Sequence, residues 1–321
     1  MKRAGQLYER ICEPENLRLA FLKSARGKRG KREVVAYAGR LDENLRLLRE
    51  QLLARSADVG HYHFFTVHDP KERLICAAAF PERVLHHAIM NVCEPVLERY
   101  AIHDSYACRA GKGMHAAVRR AQGFAARFPW HLKLDVRKYF DSIAHDRLLA
   151  LLARRIKDAD VLRLFAEIVG TYHTQHLANF YLGHLDHWVQ ETRRVAGYVR
   201  YMDDFVLWGG DRAELAGHLA AARGFLDAEL GLALKENVQL NRSERGVPFL
   251  GYRVYPGRLA LGQRARGRFA RKLRGYEREW NEGAWSEADL ARHMEALLSY
   301  VRFADTTGLR RRIVGRASLA S

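Results

Sequence analysis

The chain has 321 residues, and with 48% of them hydrophobic it can bury a large core divided between subdomains. Lys and Arg number 54 against 37 Asp and Glu, and the resulting net charge of +17 exceeds what solubility requires. It points to a polyanionic partner held largely through phosphates, so nucleic acid is expected. No apolar run approaches the roughly 20 residues of a membrane span, and no signal-peptide pattern opens the sequence, so no membrane partner is expected.

The cysteines, Cys12, Cys76, Cys93 and Cys108, form no CxxC pair and no zinc-like spacing. They are expected to be free buried thiols in a reducing cytosol. His184 and His187 fit one helix face, but third and fourth metal ligands are not evident.

In chain order, residues 1–55 read as helical. Glu15 to Lys23 carries Leu17, Leu19, Ala20 and Phe21, and Leu41 to Leu53 repeats leucine at helical spacing. Between them, Lys23 to Arg32 places Lys28, Arg29, Lys31 and Arg32 among small residues. This reads either as a solvated loop or as a flexible grip on a nucleic-acid backbone. His61 to His68 reads as a strand, Asp69-Pro-Lys-Glu72 as a turn and Arg73 to Ala78 as the returning strand. Phe80 to Pro95 reads as a helix with Pro81 in its first turn and Arg83 just beyond. Gly111-Lys112-Gly113 runs into a further helix, where backbone N–H groups are expected to be available to a phosphate. The GxxxxGK[ST] spacing of a P-loop is absent.

Leu132-Lys-Leu-Asp135 alternates apolar and polar residues and delivers Asp135 at a strand end, five residues before Phe140. Asp146 to Val169 is strongly helical. Gly197 to Trp208 reads as strand, turn and strand, with Tyr201-Met-Asp-Asp204 at the tip. Adjacent carboxylates repel each other and cost desolvation, so a fold sets them side by side mainly when a cation neutralises them. Hard oxygen ligands of this kind suit Mg²⁺. The plainer reading is a polar hairpin with its Asp pair facing solvent. Two-metal nucleotidyl transfer needs carboxylates from separate strands around ions roughly 3.5–4 Å apart, and Asp135 supplies the third. Further on, Asp211 to Leu230 reads as an amphipathic helix and Gly231 to Glu236 as its end and the next strand. Pro248-Phe-Leu-Gly-Tyr252 reads as a hairpin corner, where Gly251 permits a tight turn. Phe269 to Trp280 and Leu290 to Tyr300 read as basic helices.

These motifs together resemble the reverse transcriptases. Asp135 matches motif A of that family, Phe140 its steric-gate position, and Tyr201 to Asp204 its YxDD motif C. Arg83 matches motif 1, and Ser105-Tyr-Ala-Cys-Arg109 resembles motif 2 of the group II intron and diversity-generating retroelement enzymes. Ala178-Asn-Phe-Tyr-Leu182 resembles the motif B helix, with Thr174-Gln175 standing where the family has Ser-Gln. The loop ahead of that helix is shortened in this chain. Pro248 to Tyr252 matches motif E, the primer grip. Lys235 lies near the motif D lysine but is offset from it, so no general acid is assigned.

The resemblance implies an α+β, right-hand polymerase fold with an antiparallel palm sheet. Residues 1–130 would form an N-terminal extension and fingers, 131–256 the palm with 148–172 as a helical insertion, and 257–321 a small helical thumb. The implied activity is RNA-directed DNA polymerase, a nucleotidyltransferase using two Mg²⁺ ions, with Mn²⁺ as a substitute, held by Asp135, Asp203 and Asp204. Arg73, Arg109, Phe140, Gln175 and Tyr201 would bind the nucleotide. Lys28, Arg29, Lys31, Arg32, Arg83, Lys112, Leu250, Gly251 and Tyr252 would bind template and primer. Implied partners are a template RNA, the RNA–DNA hybrid, dNTPs and a small basic helical accessory protein, and the implied location is the cytoplasm of a bacterium, with a phage gene also fitting. Size, the motif 2 start and the short thumb favour the diversity-generating retroelement type. Group II intron-derived and defence-associated enzymes remain alternatives, as does a binding-only relative that lost polymerisation through the shortened loop. Phe140 disfavours an RNA polymerase.

Overall fold

The computed structural model describes residues 3–68, 72–171 and 175–308. Three expected features lie outside these residues: the turn at 69–71, the junction at 172–174 that includes Thr174, and the end of the thumb from 309 onward. In chain order the elements are α1 (Tyr8–Ile11), α2 (Pro14–Ala25), α3 (Arg32–Gly39), α4 (Leu41–Leu53), β1 (Tyr62–His68), β2 (Glu72–Ala78), α5 (Phe80–Glu98), α6 (Met114–Arg127) and β3 (Trp130–Asp135). There follow α7 (His145–Ala153), α8 (Ala159–Thr171), α9 (Gln175–Tyr181), α10 (Gly183–His187), β4 (Gly197–Tyr201), β5 (Asp204–Gly209) and α11 (Arg212–Phe225). The chain closes with β6 (Gln239–Arg242), β7 (Val247–Phe249), β8 (Tyr252–Val254), β9 (Leu259–Leu261), α12 (Gln263–Asn281) and α13 (Glu287–Arg302). Helices mixed with antiparallel sheets make this the expected α+β class.

The chain divides into two compact units, Met1–Ala101 with Phe140–Gly183, and Ile102–Tyr139 with His184–Ser321. In the first, α2 and α5 bury Leu17, Ala20, Phe21, Val84, Leu85 and Ala88 against each other. The rings of Phe21, Tyr37 and Phe80 pack edge-on or stacked, which brings α3 into the same core. β1 and β2 pair from Tyr62↔Ala78 to His68↔Glu72, the expected hairpin. The basic stretch 23–32 is only partly a loop: α2 runs through Lys23 to Ala25, and α3 begins at Arg32. Lys23 is tied to Asn91 at 2.6 Å, while Lys28, Arg29, Lys31 and Arg32 are exposed.

The continuous helix expected over 146–169 is broken between α7 and α8. At the break the chain binds a distant segment. Lys157 donates to the Ala4 carbonyl at 2.7 Å, and Ala4 donates to the Arg155 carbonyl at 2.8 Å. Asp158 accepts the Leu7 and Tyr8 amides at 2.8 and 3.0 Å and the Val161 amide at 3.3 Å, so one carboxylate serves the starts of two helices.

In the second unit the strands run β4-β5-β3-β6, all antiparallel, with a separate sheet β7-β8-β9. β5 is buried from Phe205 to Trp208 because both faces are covered. On one face Val199, Val206 and Trp208 join a core with Phe124 of α6, Tyr252 of β8 and Phe269 of α12. Trp208 stacks on Phe124 at 5.4 Å, and Gly197 leaves the room for it, since a Cβ there would sit 2.9 Å from the Phe124 ring. α11, started by Asp211 accepting the Ala213 and Glu214 amides, packs on the sheet as expected. The strand after α11 lies at 239–242, later than expected. Leu232 to Leu234 reach the sheet only through a single bridge from Val136 to Leu234. The helices predicted near the C-terminus are α12 and α13; α12 is strongly basic, whereas α13 sets Glu287, Asp289 and Glu295 against Arg292 and Arg302, and a Ser286–Asp289 capping box starts it.

Candidate active site on the four-stranded sheet

Strand alternation places Lys133 and Asp135 on one face of β3, and Asp204, Val206 and Trp208 on the same face of β5. Asp135 is the register partner of Asp204, so the two side chains leave adjacent strands side by side, with Cβ atoms roughly 4.5–5.5 Å apart by ordinary strand geometry. Tyr201 pairs with Asp204 across β4 and β5, leaving Met202 and Asp203 as the turn. Met202 has φ 55°, a left-handed conformation that a two-residue hairpin needs to match strand twist and that costs a non-glycine residue about 1–2 kcal/mol. The paired carboxylates therefore sit at the hairpin tip as the sequence suggested, with the third presented by the neighbouring strand.

Their electrostatics are those of a crowded acidic cluster. Burial pushes the Asp204 carboxyl up to about 6 against the pull of Lys133, and the charges of Asp135 and Asp203 add to the rise. Asp203 is raised by burial, by the Asp135 charge and by a hydrogen bond shared with Asp135. Two lysines offset the charge. Lys133 Nζ lies 2.6 Å from Asp204 Oδ1, both side chains being largely buried, and the Lys235 ammonium pairs with the Asp135 carboxylate. The Lys235 amide also donates to the Asp135 carbonyl at 2.8 Å. Sequence reasoning passed over Lys133. The signal was available in the alternation of β3, because a residue two before Asp135 must share its face.

The donor set fits a hard divalent cation: carboxylate oxygens from two strands and a turn, close enough that the Asp135 charge opposes the ionisation of the other two. Among the described residues, however, no group of three His, Cys, Asp or Glu is arranged to hold a metal, and Asp135 and Asp204 are each paired with a lysine. His184 and His187 face Glu229 and Glu191 respectively, at 3.9 and 2.6 Å.

Other predicted residues of this unit have local roles. The Arg109 guanidinium donates to the carbonyls of Ile102 and Ser105 at 2.5 and 2.6 Å, bracing its own loop. Lys112 Nζ donates to the His103 carbonyl at 2.9 Å and lies 4.9 Å from the Tyr106 ring centre. The backbone amides of Lys112 and Gly113 donate to the carbonyls of Arg109 and Tyr106, so those two are engaged within the protein and not available to a phosphate. Leu250 and Gly251, at φ 49° and 86°, form the β7–β8 turn, and the Tyr252 hydroxyl donates to the Tyr300 carbonyl at 3.0 Å. Tyr201 packs half-buried on the core beneath the sheet.

In the first unit, Arg83 pairs with Glu33 at 2.5 Å and lies over the Phe80 ring. Arg73 stands on β2 opposite Val67, and its side chain lies outside the described residues. Gln175 is exposed at the start of α9, and Phe140 opens a half-buried 3₁₀ turn. Of the cysteines, Cys12 and Cys93 are buried as expected. Cys76 and Cys108 are only partly so, Cys108 sitting at a positive φ.

No family model matches the chain. It is similar to protein YkfC of Escherichia coli, 23% identical over 70% of this chain and 74% of that protein. It is also similar to an uncharacterized 91 kDa protein in the cob intron of Schizosaccharomyces pombe, 26% identical over 41% of this chain and 18% of that protein. Nuclear intron maturase 1 of Arabidopsis thaliana mitochondria is 29% identical over 26% of this chain and 12% of that protein. The chain thus spans less than a fifth of these two larger relatives. The intron-maturase likeness points to the reverse-transcriptase-like family expected from the motifs. Among solved structures, Candida tropicalis telomerase with a TWJ fragment of telomeric RNA superposes with a TM-score of 0.49 at 11% identity, over 75% of this chain and 52% of that one. At that level the likeness assigns no residue a role.

Proposed function

We propose that the chain is an RNA-directed DNA polymerase of right-hand type that extends a primer on a template RNA. The observation that carries this reading is the register of Asp135 against Asp204 with Asp203 in the adjoining turn, three carboxylates on one sheet end, of which Asp203 and Asp204 are raised in pKa by burial and by their acidic neighbours. Asp135, Asp203 and Asp204 would hold two Mg²⁺ ions, which when bound activate the primer 3′-OH and neutralise the triphosphate. Lys133 and Lys235 limit repulsion within the cluster by neutralising two of its three charges. The β7–β8 turn at Leu250 and Gly251 offers a backbone approach to the primer end. Discrimination against ribonucleotides falls to Phe140 in this proposal, and the basic helix α12 takes the hybrid through its phosphates.

Within that class the diversity-generating retroelement type is favoured by Ser105-Tyr-Ala-Cys-Arg109, and it carries with it the basic accessory protein as a partner. A second reading is a hybrid-binding relative without polymerisation. It is favoured by the lysine-paired carboxylates, with no three-ligand metal group among the described residues. Primer extension on an RNA template with dNTPs and Mg²⁺ separates the two, with Asp203→Asn/Asp204→Asn as control. Extension by the wild type alone establishes the polymerase. Salt-sensitive hybrid binding without extension, even with the accessory protein supplied, establishes the binder.

A further inference from the structure

Behind the carboxylates, on the opposite face of the sheet, lies a fully buried ion pair that none of the motifs assigned above uses. Arg200 of β4 is 1% exposed, and Asp186 of α10 is completely buried. Arg200 Nε donates to Asp186 Oδ1 and Nη2 to Oδ2, both at 2.6 Å, the two-pronged geometry of a strong pair. The Tyr198 hydroxyl, two residues earlier on the same face, donates to Asp186 Oδ1 at 2.7 Å. The remaining Arg200 prong is the informative one: Nη1 donates to the Met202 carbonyl at 3.1 Å. Met202 is the left-handed residue of the turn, and its carbonyl belongs to the peptide that leads into Asp203.

The backbone of Arg200 is held as well. Its amide donates to the Asp104 carbonyl at 2.9 Å, and its carbonyl accepts the Tyr106 amide at 3.0 Å. A side chain anchored at both its backbone and its Asp186 partner is a fixed post, and the bond it gives to Met202 fixes the orientation of the next peptide. A buried pair of this kind is not needed for stability alone, since well-packed apolar residues of similar volume commonly do as well or better. What an apolar replacement cannot supply is the donor to the Met202 carbonyl.

We propose that Arg200 is a positioning residue that, braced by Asp186, holds the Met202 carbonyl and thereby the left-handed turn that aims Asp203 and Asp204 at a divalent cation. The inference rests on the reading of those carboxylates as metal ligands, and the test separates the two. The variant is Asp186→Leu/Tyr198→Phe/Arg200→Met, which removes the whole polar group together and leaves no unpaired buried charge. Arg200→Lys serves as the conservative companion, keeping the charge and losing the fork. Readouts are thermal unfolding, amide exchange of the 201–205 peptide, and Mn²⁺ binding followed by its electron paramagnetic resonance signal, with Asp203→Asn as reference.

The expected result is a folded triple variant with faster exchange confined to 201–205 and Mn²⁺ affinity reduced by about 10–100-fold, the usual effect of losing a residue that orients a ligand. Arg200→Lys should fall between it and the wild type. A folded triple variant with wild-type exchange in the turn and wild-type Mn²⁺ affinity overturns the proposal. If the triple variant does not fold, Arg200→Lys decides by the same two readouts. Equal Mn²⁺ binding by the wild type and Asp203→Asn instead sinks the metal-ligand reading, and turn exchange alone then decides whether Arg200 holds the turn.

Discussion

Lys133 and Asp204 form a largely buried ion pair, Nζ to Oδ1 2.6 Å, on the same sheet face as Asp135. The pair couples the ionisation of the acidic cluster to a cation that the chain itself supplies. Replacing Lys133 with Met removes that cation while keeping the aliphatic stem. The Asp204 carboxyl should then rise further above about 6, since Lys133 is the main influence lowering it. Expected is an alkaline shift in the acidic limb of the primer-extension profile, read as kcat against pH. An unchanged limb would show that Asp204 does not govern it.

Asp204 also makes the stability of the fold depend on pH in an unusual direction. Its folded-state value, about 6, lies above the ordinary carboxylate range near 4, so between those values the native state holds a proton that the unfolded chain has lost. The stability it contributes is complete below about pH 4 and is lost as pH rises through about 6. Urea unfolding of the wild type and Asp204→Asn should show the wild-type advantage falling by on the order of 2 kcal/mol over that window without divalent ions. Millimolar Mg²⁺ should offset the fall if the ionised carboxylate is the metal-binding form. A difference that is flat with pH would contradict the raised value.

The turn at Leu250 and Gly251 gives a third test. Gly251 sits at φ 86°, and a Cβ added there would run into the Tyr300 hydroxyl. Gly251→Ala should therefore cost about 1–3 kcal/mol in thermal unfolding. It should also weaken extension more than hybrid binding, because in the proposed function this turn approaches the primer end. Binding and extension lost in equal measure would argue against a primer-end role.

Lys28, Arg29, Lys31 and Arg32 are exposed, so their removal should act through phosphates alone. Changing all four to Ala should leave unfolding within about 0.5 kcal/mol of the wild type. The slope of log affinity against log salt for template RNA should become shallower by up to roughly 3. An unchanged slope would make the segment a solvated surface and nothing more.

Much of this arrangement could be read before any coordinates. Tyr198-Val199 and Phe205 to Trp208 are rich in β-branched and aromatic residues on both sides of a polar pair, which specifies a hairpin with Asp203 and Asp204 at its end. The alternation from Leu132 to Asp135 likewise ends a strand on its carboxylate. The leucine spacing of α4 and the basic run of α12 are local patterns of the same kind.

What the sequence determined by itself was therefore local: which segments are strands and helices, and which carboxylates stand at strand ends. The tertiary structure decided how the strands register, and so set Asp135 against Asp204, gave Lys133 and Lys235 to the cluster, and seated Asp186 against Arg200. It also joined the break between α7 and α8 to a distant segment, since Asp158 there accepts the amides of Leu7 and Tyr8. Each of these depends on contacts between residues far apart in the chain. Periodicity in one window cannot report them, since a strand's pattern fixes which side chains share a face and leaves open which partner they will meet.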